Sequence, residues 1–271
     1  MNLEEILAVA EAALERQGAS LTSSPPDRVA VRIAGTGPGR PIDIPLGPLR
    51  EWLAGEPERG RQGVVSFFRG VGSVVVAPPL TRREAGLSFA ELAGRLVPSL
   101  EGPLFPLGAK LASGEEIVVE PAFGGLSVAH FVEFDRGRRL LTRQKLDAWG
   151  VSQERAHKAG LSLVFYRTYE VPPAPFEPDA LPGCEAFQIK DGYDATRVLV
   201  LDSLFFGRCR AGLLAGVPAS DLLLLLDASA DGSTRAAFRR RIEALFAESA
   251  WSLSDRVYEV REDRTSELVD S

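Results

Sequence analysis

In residues 1–17, apolar positions recur among polar ones with the period of an α-helix. The apolar side chains of this segment recur at intervals of three or four and are Leu3, Ile6, Leu7, Ala10 and Leu14. The segment also carries glutamates where a signal peptide needs positive charge. It is therefore predicted to be an amphipathic helix of the mature protein.

Two short runs of alternating residues follow. In residues 28–35, Val29, Val31 and Ile33 fall on one face of an extended chain, and residues 41–46 resume the alternation. The glycine-rich stretch between them has no following Lys-Ser or Lys-Thr pair and leads into a strand, so it does not match a phosphate-binding loop. A β-hairpin is predicted.

Longer apolar segments come next. Residues 47–55 begin with a proline and end with a glycine, as a helix does. Residues 63–80 predict a second helix, but the arginine within them and the closing prolines rule out a clean membrane span of ~20 apolar residues. Residues 87–102 predict a further helix, and the Pro/Gly-rich residues 102–110 are interpreted as a joint between two halves.

The second half begins with a predicted sheet. Ile117 and Val119 share a face, and two glycines turn the chain before residues 128–134, which are apolar on both faces. This pattern is typical of a central strand that is covered on two sides. His130 is accordingly interpreted as a core histidine.

A helix pair is predicted over residues 141–167. Thr142 and Ser152 are placed as N-caps, and Gly150 as the end of the first helix. Residues 52–68 and 149–165 share an order of tryptophan, glycine, Glu-Arg, glycine and an apolar tail. We interpret this as two related strand-strand-helix-helix halves.

The C-terminal part predicts further strands and helices. Strands are expected at residues 183–190, within residues 217–229 and at residues 256–260, helices at residues 193–214 and 233–251, and a frayed polar tail after them. The predicted fold is α+β, with helices packed on a mainly antiparallel sheet. The predicted domains are an N-terminal half (1–110) and a C-terminal half (111–271), or one continuous domain.

Composition narrows the function classes. The 45% hydrophobic content is that of a folded protein, whereas the net charge of −6 and pI near 5.2 argue against nonspecific nucleic-acid binding. Two cysteines, Cys184 and Cys209, are too few for a disulfide framework, so a cytoplasmic location with two buried thiols is expected. The sequence does not indicate which cofactor, if any, the protein binds.

The segment DGYDATRVL, residues 191–199, is the candidate site. Asp191, Asp194 and Arg197, with Asp221 further on, could form a ligand-binding cluster at a strand-to-helix junction. The structural alternative is that Asp191 and its glycine form a turn and Asp194 caps a helix. An Asp-x-x-Asp spacing alone is a weak metal signal, because hard cations need several oxygen ligands.

No other residues form a recognisable catalytic motif. His130 and His157 have no cysteine or histidine at zinc-binding spacing, so a zinc site would have to be assembled from distant parts of the chain. The serines lack a Gly-x-Ser-x-Gly elbow, and neither cysteine stands in a nucleophile motif.

Three segments together resemble a known family. LTRQKLDAWGVSQERAHKAGLSL, DGYDATRVL and VPASDLLLLLD occur in an order and at distances similar to those of the YtpQ-like family of uncharacterised bacterial proteins. The resemblance covers about residues 115–230. It implies no established chemistry, but it draws attention to Asp191, Gly192, Tyr193, Asp194, Arg197 and Asp221. Ser220 stands where the family often has arginine.

Three functions are open at this point. The leading hypothesis is a non-enzymatic protein-binding or adaptor protein whose partner is another protein, because no coherent catalytic constellation is present. The first alternative is a ligand- or metal-dependent enzyme or binding domain using Asp191, Asp194, Arg197 and Asp221. The second is helix-turn-helix DNA binding through residues 142–165, which the acidic composition disfavours.

Overall fold

Three antiparallel sheets and the helices packed on them form the described part of the chain in the computed structural model, which describes residues 1–22, 27–33, 41–78, 80–177, 179–262 and 266–268. All of the strand pairs within these ranges are antiparallel. The α+β prediction is confirmed.

The first sheet joins the N-terminal strands in sequence order. The elements are α1 (Leu3–Glu15), β1 (Ala19–Thr22), β2 (Arg28–Ile33), β3 (Ile42–Pro45), α2 (Gly47–Gly55) and α3 (Gly60–Val75). Asn2 and Glu5 form a capping box that begins α1. The predicted strands β2 and β3 pair, although Ile33 is exposed, and the predicted glycine-rich turn lies outside the described residues.

Helix α3 is the centre of the N-terminal core. Val64, Phe67, Phe68 and Val71 are buried, so the apolar segment that begins at residue 63 is core rather than an exposed contact surface. Among the described helices, none has the length and apolar character needed to cross a bilayer.

Residues 102–110, interpreted as a joint between two halves, are not an irregular connection. The chain there forms helix α6 (Phe105–Ser113), which packs closely on α3. A Cβ atom at Gly108 would overlap the carbonyl oxygen of Phe67, and one at Gly70 would overlap that of Phe105. Glycine at both positions therefore lets the two helix backbones touch.

Residues 87–102 were predicted as a helix, and that prediction is wrong for their second half. After α4 (Arg82–Ala85), α5 (Phe89–Leu92) and a 3₁₀ turn (Ala93–Arg95), the chain enters strand β4 (Leu96–Glu101). Pairing with a neighbouring strand buries Leu96, Val97 and Leu100, and this tertiary contact outweighs the helical spacing.

The second sheet is built around one long strand. It contains β5 (Val119–Pro121), β6 (Ser127–Phe134) and β7 (Gly137–Leu140), with the order β4-β6-β5 and with β7 also paired to β6. The residues from Val128 to Val132 are all buried, which confirms the central strand. Because β4 pairs with β6, the sheet joins residues from both sides of position 110. The division into two domains there stays a prediction.

In the helix pair after this sheet, the first helix ends and the second begins at the predicted residues. Helix α7 (Arg143–Trp149) ends at Gly150, which has a φ of 63°, and α8 (Gln153–Tyr169) begins at Ser152. The Ser152 hydroxyl accepts a hydrogen bond from the Arg155 amide at 3.2 Å, whereas Thr142 occupies the N-cap position of α7 without a side-chain bond. A hairpin followed by a helix pair thus occurs twice, as β2-β3-α2-α3 and β6-β7-α7-α8.

The C-terminal part contains the third sheet and its helices, which are β8 (Ala174–Pro175), β9 (Glu185–Phe187), α9 (Leu201–Leu204), α10 (Phe206–Ala211), β10 (Leu213–Ala219), β11 (Leu222–Asp227), α11 (Gly232–Glu248), β12 (Val257–Val260) and β13 (Ser266–Leu268). The strand order of this sheet is β13-β12-β10-β11-β9-β8. The predicted helix over residues 193–214 is wrong in form, since a 3₁₀ helix (Ala195–Val200) precedes the two short helices. Strand β10 was missed, and the tail predicted to fray pairs at β13.

Candidate functional site

The Asp-Gly-Tyr-Asp segment surrounds one buried arginine. The Arg197 guanidinium donates two parallel hydrogen bonds to Asp191, from Nη1 to Oδ1 at 2.9 Å and from Nη2 to Oδ2 at 2.5 Å. Nη1 also donates to Oδ1 of Asp194 at 3.1 Å. The Arg197 side chain is fully buried and its guanidinium lies 5.4 Å from the ring centroid of Phe187. Such bidentate, charge-assisted contacts are among the strongest hydrogen bonds in proteins.

The two carboxylates also hold the backbone around them. Asp194 accepts from the amides of Ile189 at 2.9 Å and Lys190 at 2.7 Å, and Asp191 accepts from the amide of Tyr193 at 3.0 Å. Asp194 therefore fixes the residues before it and does not cap the following helix, so the prediction of a side-chain N-cap is wrong.

The predicted turn is confirmed. Gly192 has a φ of 85°, and Lys190 has a φ of 63°, which is unusual for a residue with a side chain. The bonds from Asp194 to the backbone amides on this bend hold the reversal in place.

The charges of the cluster are mutually compensated. Burial raises the pKa of Asp191, but the hydrogen bonds from Arg197 and the Tyr193 amide outweigh it, and the pKa lies below its ordinary value. Burial raises the pKa of Asp194 above its ordinary value, against the opposing effect of its bonds to the amides of Ile189 and Lys190 and of the Arg197 charge. An external cation or anion would have to displace these internal bonds.

Asp221 lies apart from this network. It occupies the turn between β10 and β11, next to Ser220, whose carbonyl accepts a hydrogen bond from the Ala195 amide at 3.3 Å. Within the described ranges, no hydrogen bond or ion pair joins Asp221 to Asp191, Asp194 or Arg197. Ligand binding by the four residues stays a prediction, and the geometry of the first three favours the structural alternative.

The two histidines come together, which the sequence spacing did not indicate. His130 Nε2 lies 3.1 Å from Nδ1 of His157, between β6 and α8. The part of the chain that the structure describes contains no group of three His, Cys, Asp or Glu side chains arranged to hold a metal ion. The contact joins the fully buried His130 to the half-buried His157.

Both cysteines are free and buried, as expected. Burial raises the pKa of Cys184 to about 12 and that of Cys209 to about 11. A thiol at these values stays protonated near neutral pH, and the thiolate is the nucleophilic form. Neither cysteine is suited to nucleophilic chemistry.

The helix-turn-helix hypothesis depends on which face of α8 is available. The buried face of α8 packs on β4, and a Cβ atom at Gly160 would lie only 3.1 Å from Pro98. Gln153, at the start of the supposed recognition helix, donates to the Val119 carbonyl at 2.7 Å and accepts from Arg143 at 2.5 Å. These contacts weigh against a helix free to enter a DNA groove, and DNA binding stays an untested alternative.

The outer face of α8 borders a groove, which we call the α8 groove. Its volume is about 390 Å³, and it is lined by Lys158, Leu161, Ser162, Phe165, Tyr166, Leu199, Val200 and Ser203. The Phe165 and Tyr169 rings stack with centroids 6.4 Å apart and planes at 16°. Tyr166 is 67% exposed and Tyr169 is 75% exposed. The C-terminal half of α8 therefore presents aromatic rings to solvent.

Comparison with known proteins does not place the chain in a family, since no family model, curated protein or solved structure matches it. The resemblance to the YtpQ-like family accordingly stays a prediction.

Proposed function

We propose that this is a non-enzymatic protein that binds a partner protein through the α8 groove. The observation that carries the proposal is a pair of exposed tyrosines: Tyr166 lines the groove, and Tyr169 stacks on the lining residue Phe165. Tyrosine is enriched at protein interfaces because one ring offers both a large apolar contact area and a polar tip.

The distribution of residues around α8 supports this use of its outer face. The buried residues of α8 pack against the sheet and are Ala156, Gly160, Val164 and Thr168. An amphipathic helix would ordinarily be polar on the opposite face. Here that face carries the exposed Tyr166 and Tyr169, whereas the neighbouring Phe165 is partly buried against the core. The two tyrosine rings are therefore in excess of what the fold requires.

The groove and its charges indicate the chemistry of the partner. From Lys158 to Tyr169 the outer face extends about 17 Å, the length of roughly three helical turns. Lys158 lines the groove and stays exposed in an i,i+4 ion pair with Glu154. A short partner segment with apolar anchors for the groove and acidic residues beside them is the best match. The free, buried Cys184 and Cys209 support a cytoplasmic location for this encounter.

Selection from a random peptide library displayed on phage tests the proposal, with the full chain as the bait. We expect the enriched peptides to carry apolar anchors next to acidic residues. The substitution pair Tyr166→Ser and Tyr169→Ser should weaken their binding at least ~10-fold, since interface aromatic residues often contribute 1–2 kcal/mol or more. Phe206→Ser is the matched control, because Phe206 is 56% exposed but does not line the groove.

The variants are informative because they alter solvent-exposed side chains, whose replacement usually changes stability by less than ~0.5 kcal/mol. Thermal unfolding of each variant verifies that the fold is intact. The proposal would be wrong if no peptide were enriched, or if the enriched peptides bound the double tyrosine variant as well as the wild type.

A further inference from the structure

We propose that a second pocket, beside α7, binds a small amphiphilic anion, namely a carboxylate with a short apolar chain. This α7 pocket has a volume of about 300 Å³ and lies between β6, β7, α5 and α7. That volume is at the lower end of the ~300–1,000 Å³ typical of ligand pockets. The inference is independent of the α8 groove, with which it shares no lining residue.

The floor of the α7 pocket is apolar. Leu92, Val132 and Leu141 line it and are almost fully buried, and the indole of Trp149 forms part of its wall. The Trp149 ring is held in place by its Nε1 atom, which donates to the Leu87 carbonyl at 3.0 Å. A preformed apolar floor of this kind suits an alkyl chain or a small ring.

Two basic side chains also line the α7 pocket. The Lys145 Nζ atom donates to the Ala85 carbonyl at 3.0 Å and lies 5.0 Å from the Trp149 ring centroid. Arg139 Nη1 donates to the Pro78 carbonyl at 2.6 Å. These bonds fix the two side chains, and each keeps further N–H donors, since an ammonium has three and a guanidinium five.

Among the described residues, no carboxylate lies within 4.0 Å of the charged nitrogens of Arg139 or Lys145. Glu115 also lines the pocket, but it is exposed, so solvent screens its charge. The local charge of the lining residues is therefore +1.

Two fixed cations next to an apolar floor favour a ligand that has both an anionic group and an apolar chain. A carboxylate can accept the remaining hydrogen bonds of Lys145 and Arg139, while its apolar chain removes the surface of Leu92, Val132 and Leu141 from water. A neutral alcohol would leave the cations uncompensated, and an amine would be repelled. Each additional methylene should strengthen binding roughly fourfold until the pocket is full.

Octanoate is the probe that we would use, titrated into the full-length chain by isothermal titration calorimetry and by tryptophan fluorescence. We expect saturable 1:1 binding with an affinity near ~1 mM or tighter, and tighter binding than for hexanoate. Trp149→Phe should remove the fluorescence response, because Trp149 is the one tryptophan of this pocket's lining. Octanol and octylamine are the neutral and cationic comparisons.

Substitution of Lys145 and Arg139 distinguishes specific binding of octanoate in the pocket from nonspecific adsorption to the protein. Lys145→Gln and Arg139→Gln should each weaken octanoate binding several-fold to ~10-fold and leave octanol binding unchanged, whereas Lys145→Arg should retain most of the affinity. Lys110→Gln, which changes an exposed lysine outside the pocket, is the control. Thermal unfolding of each variant shows whether the fold is intact.

The proposal is overturned by two results. One is the absence of saturable octanoate binding to the folded wild-type chain. The other is octanoate binding that is equally strong in folded Lys145→Gln, Arg139→Gln and Lys110→Gln, because such binding would not depend on the two cations of the pocket.

Discussion

His130 Nε2 lies 3.1 Å from Nδ1 of His157, so the two histidines of the chain meet across the contact between β6 and α8. Burial lowers the pKa of His130 to about 4, and the nearby His157 adds to this effect. Burial also lowers the pKa of His157, against the opposing charge of Glu120. Both rings are therefore neutral near pH 7, and one can donate to the other.

This pair predicts a loss of stability in acid. His130 has an ordinary pKa of 6.5, and its folded-state pKa is about 4. Between pH 6.5 and pH 4, His130 binds a proton in the unfolded chain but stays neutral in the folded chain. The free energy of unfolding therefore falls as the pH drops toward 4. For His130 the loss reaches about 3 kcal/mol, at 1.36 kcal/mol per pKa unit.

Urea unfolding of the wild type and His130→Leu between pH 7.5 and pH 4.5 measures this contribution. The variant should have lower stability at pH 7.5, because it loses the bond to His157, but a flatter pH dependence. Parallel curves for the two proteins would show that His130 does not titrate as the buried neutral base described above.

A second prediction concerns the buried ion network of the candidate site. Arg197→Met should destabilise the fold by about 3–5 kcal/mol, because it leaves the Asp191 and Asp194 carboxylates without their buried counter-charge. Arg197→Lys should be intermediate, since an ammonium cannot reproduce the bidentate contact. Chemical denaturation gives both values. A change below ~0.5 kcal/mol for Arg197→Met would contradict a structural role.

Asp191→Asn tests the same network from its more exposed side. Asparagine can still accept the bond from the Tyr193 amide but cannot make an ion pair with Arg197. We expect a loss of about 1–2 kcal/mol. We also expect no change in the thermal unfolding of the wild type on addition of divalent metals or nucleotides. A ligand-induced shift that Asp191→Asn abolishes would instead support the ligand-binding hypothesis.

Local sequence signals predicted the elements whose ends are set by nearby residues. The helix over residues 47–55 matches α2, Gly150 and Ser152 mark the end of one helix and the start of the next, and the doubly apolar residues 128–134 form the central strand β6. In each case the determining contacts lie within a few residues along the chain, or follow from burial of both strand faces.

The sequence-based predictions are wrong where contacts between residues distant in the chain determine the conformation. Residues 96–101 have helical apolar spacing, but the strand partner β6 imposes an extended conformation. The predicted helix is a 3₁₀ helix over Ala195–Val200, and Arg197 within it is bonded to Asp191 and Asp194. The contact between His130 and His157, 27 residues apart, has no local signal, because it depends on how α8 crosses the sheet.

The contact between α3 and α6 gives a fourth prediction. Gly108→Ala should destabilise the fold by at least ~1–3 kcal/mol, because the added Cβ would overlap the Phe67 carbonyl and two helix backbones would have to separate. Gly94→Ala is the control, since a Cβ there meets no atom within 4 Å. Denaturant midpoints of both variants provide the comparison, and equal midpoints would contradict close backbone packing at Gly108.

A last prediction concerns the buried ion pair between α3 and the end of β4. Arg69 Nη2 donates to Oε1 of Glu101 at 2.9 Å, Ser99 donates to the same oxygen at 2.7 Å, and the guanidinium lies 5.1 Å from the Trp251 ring centroid. Burial raises the pKa of Glu101, which the Arg69 charge opposes. Each charge is thus tolerated in the interior mainly because the other is present.

Arg69→Met and Glu101→Leu should each destabilise the fold by about 3–5 kcal/mol, because each leaves one uncompensated buried charge. The double variant should recover much of that loss, since no charge remains to be desolvated. Denaturant unfolding of the four proteins in a double-mutant cycle gives the coupling energy directly. If the two losses simply add, the pair is not coupled and another group, such as Ser99 or a buried water, carries the compensation of Glu101.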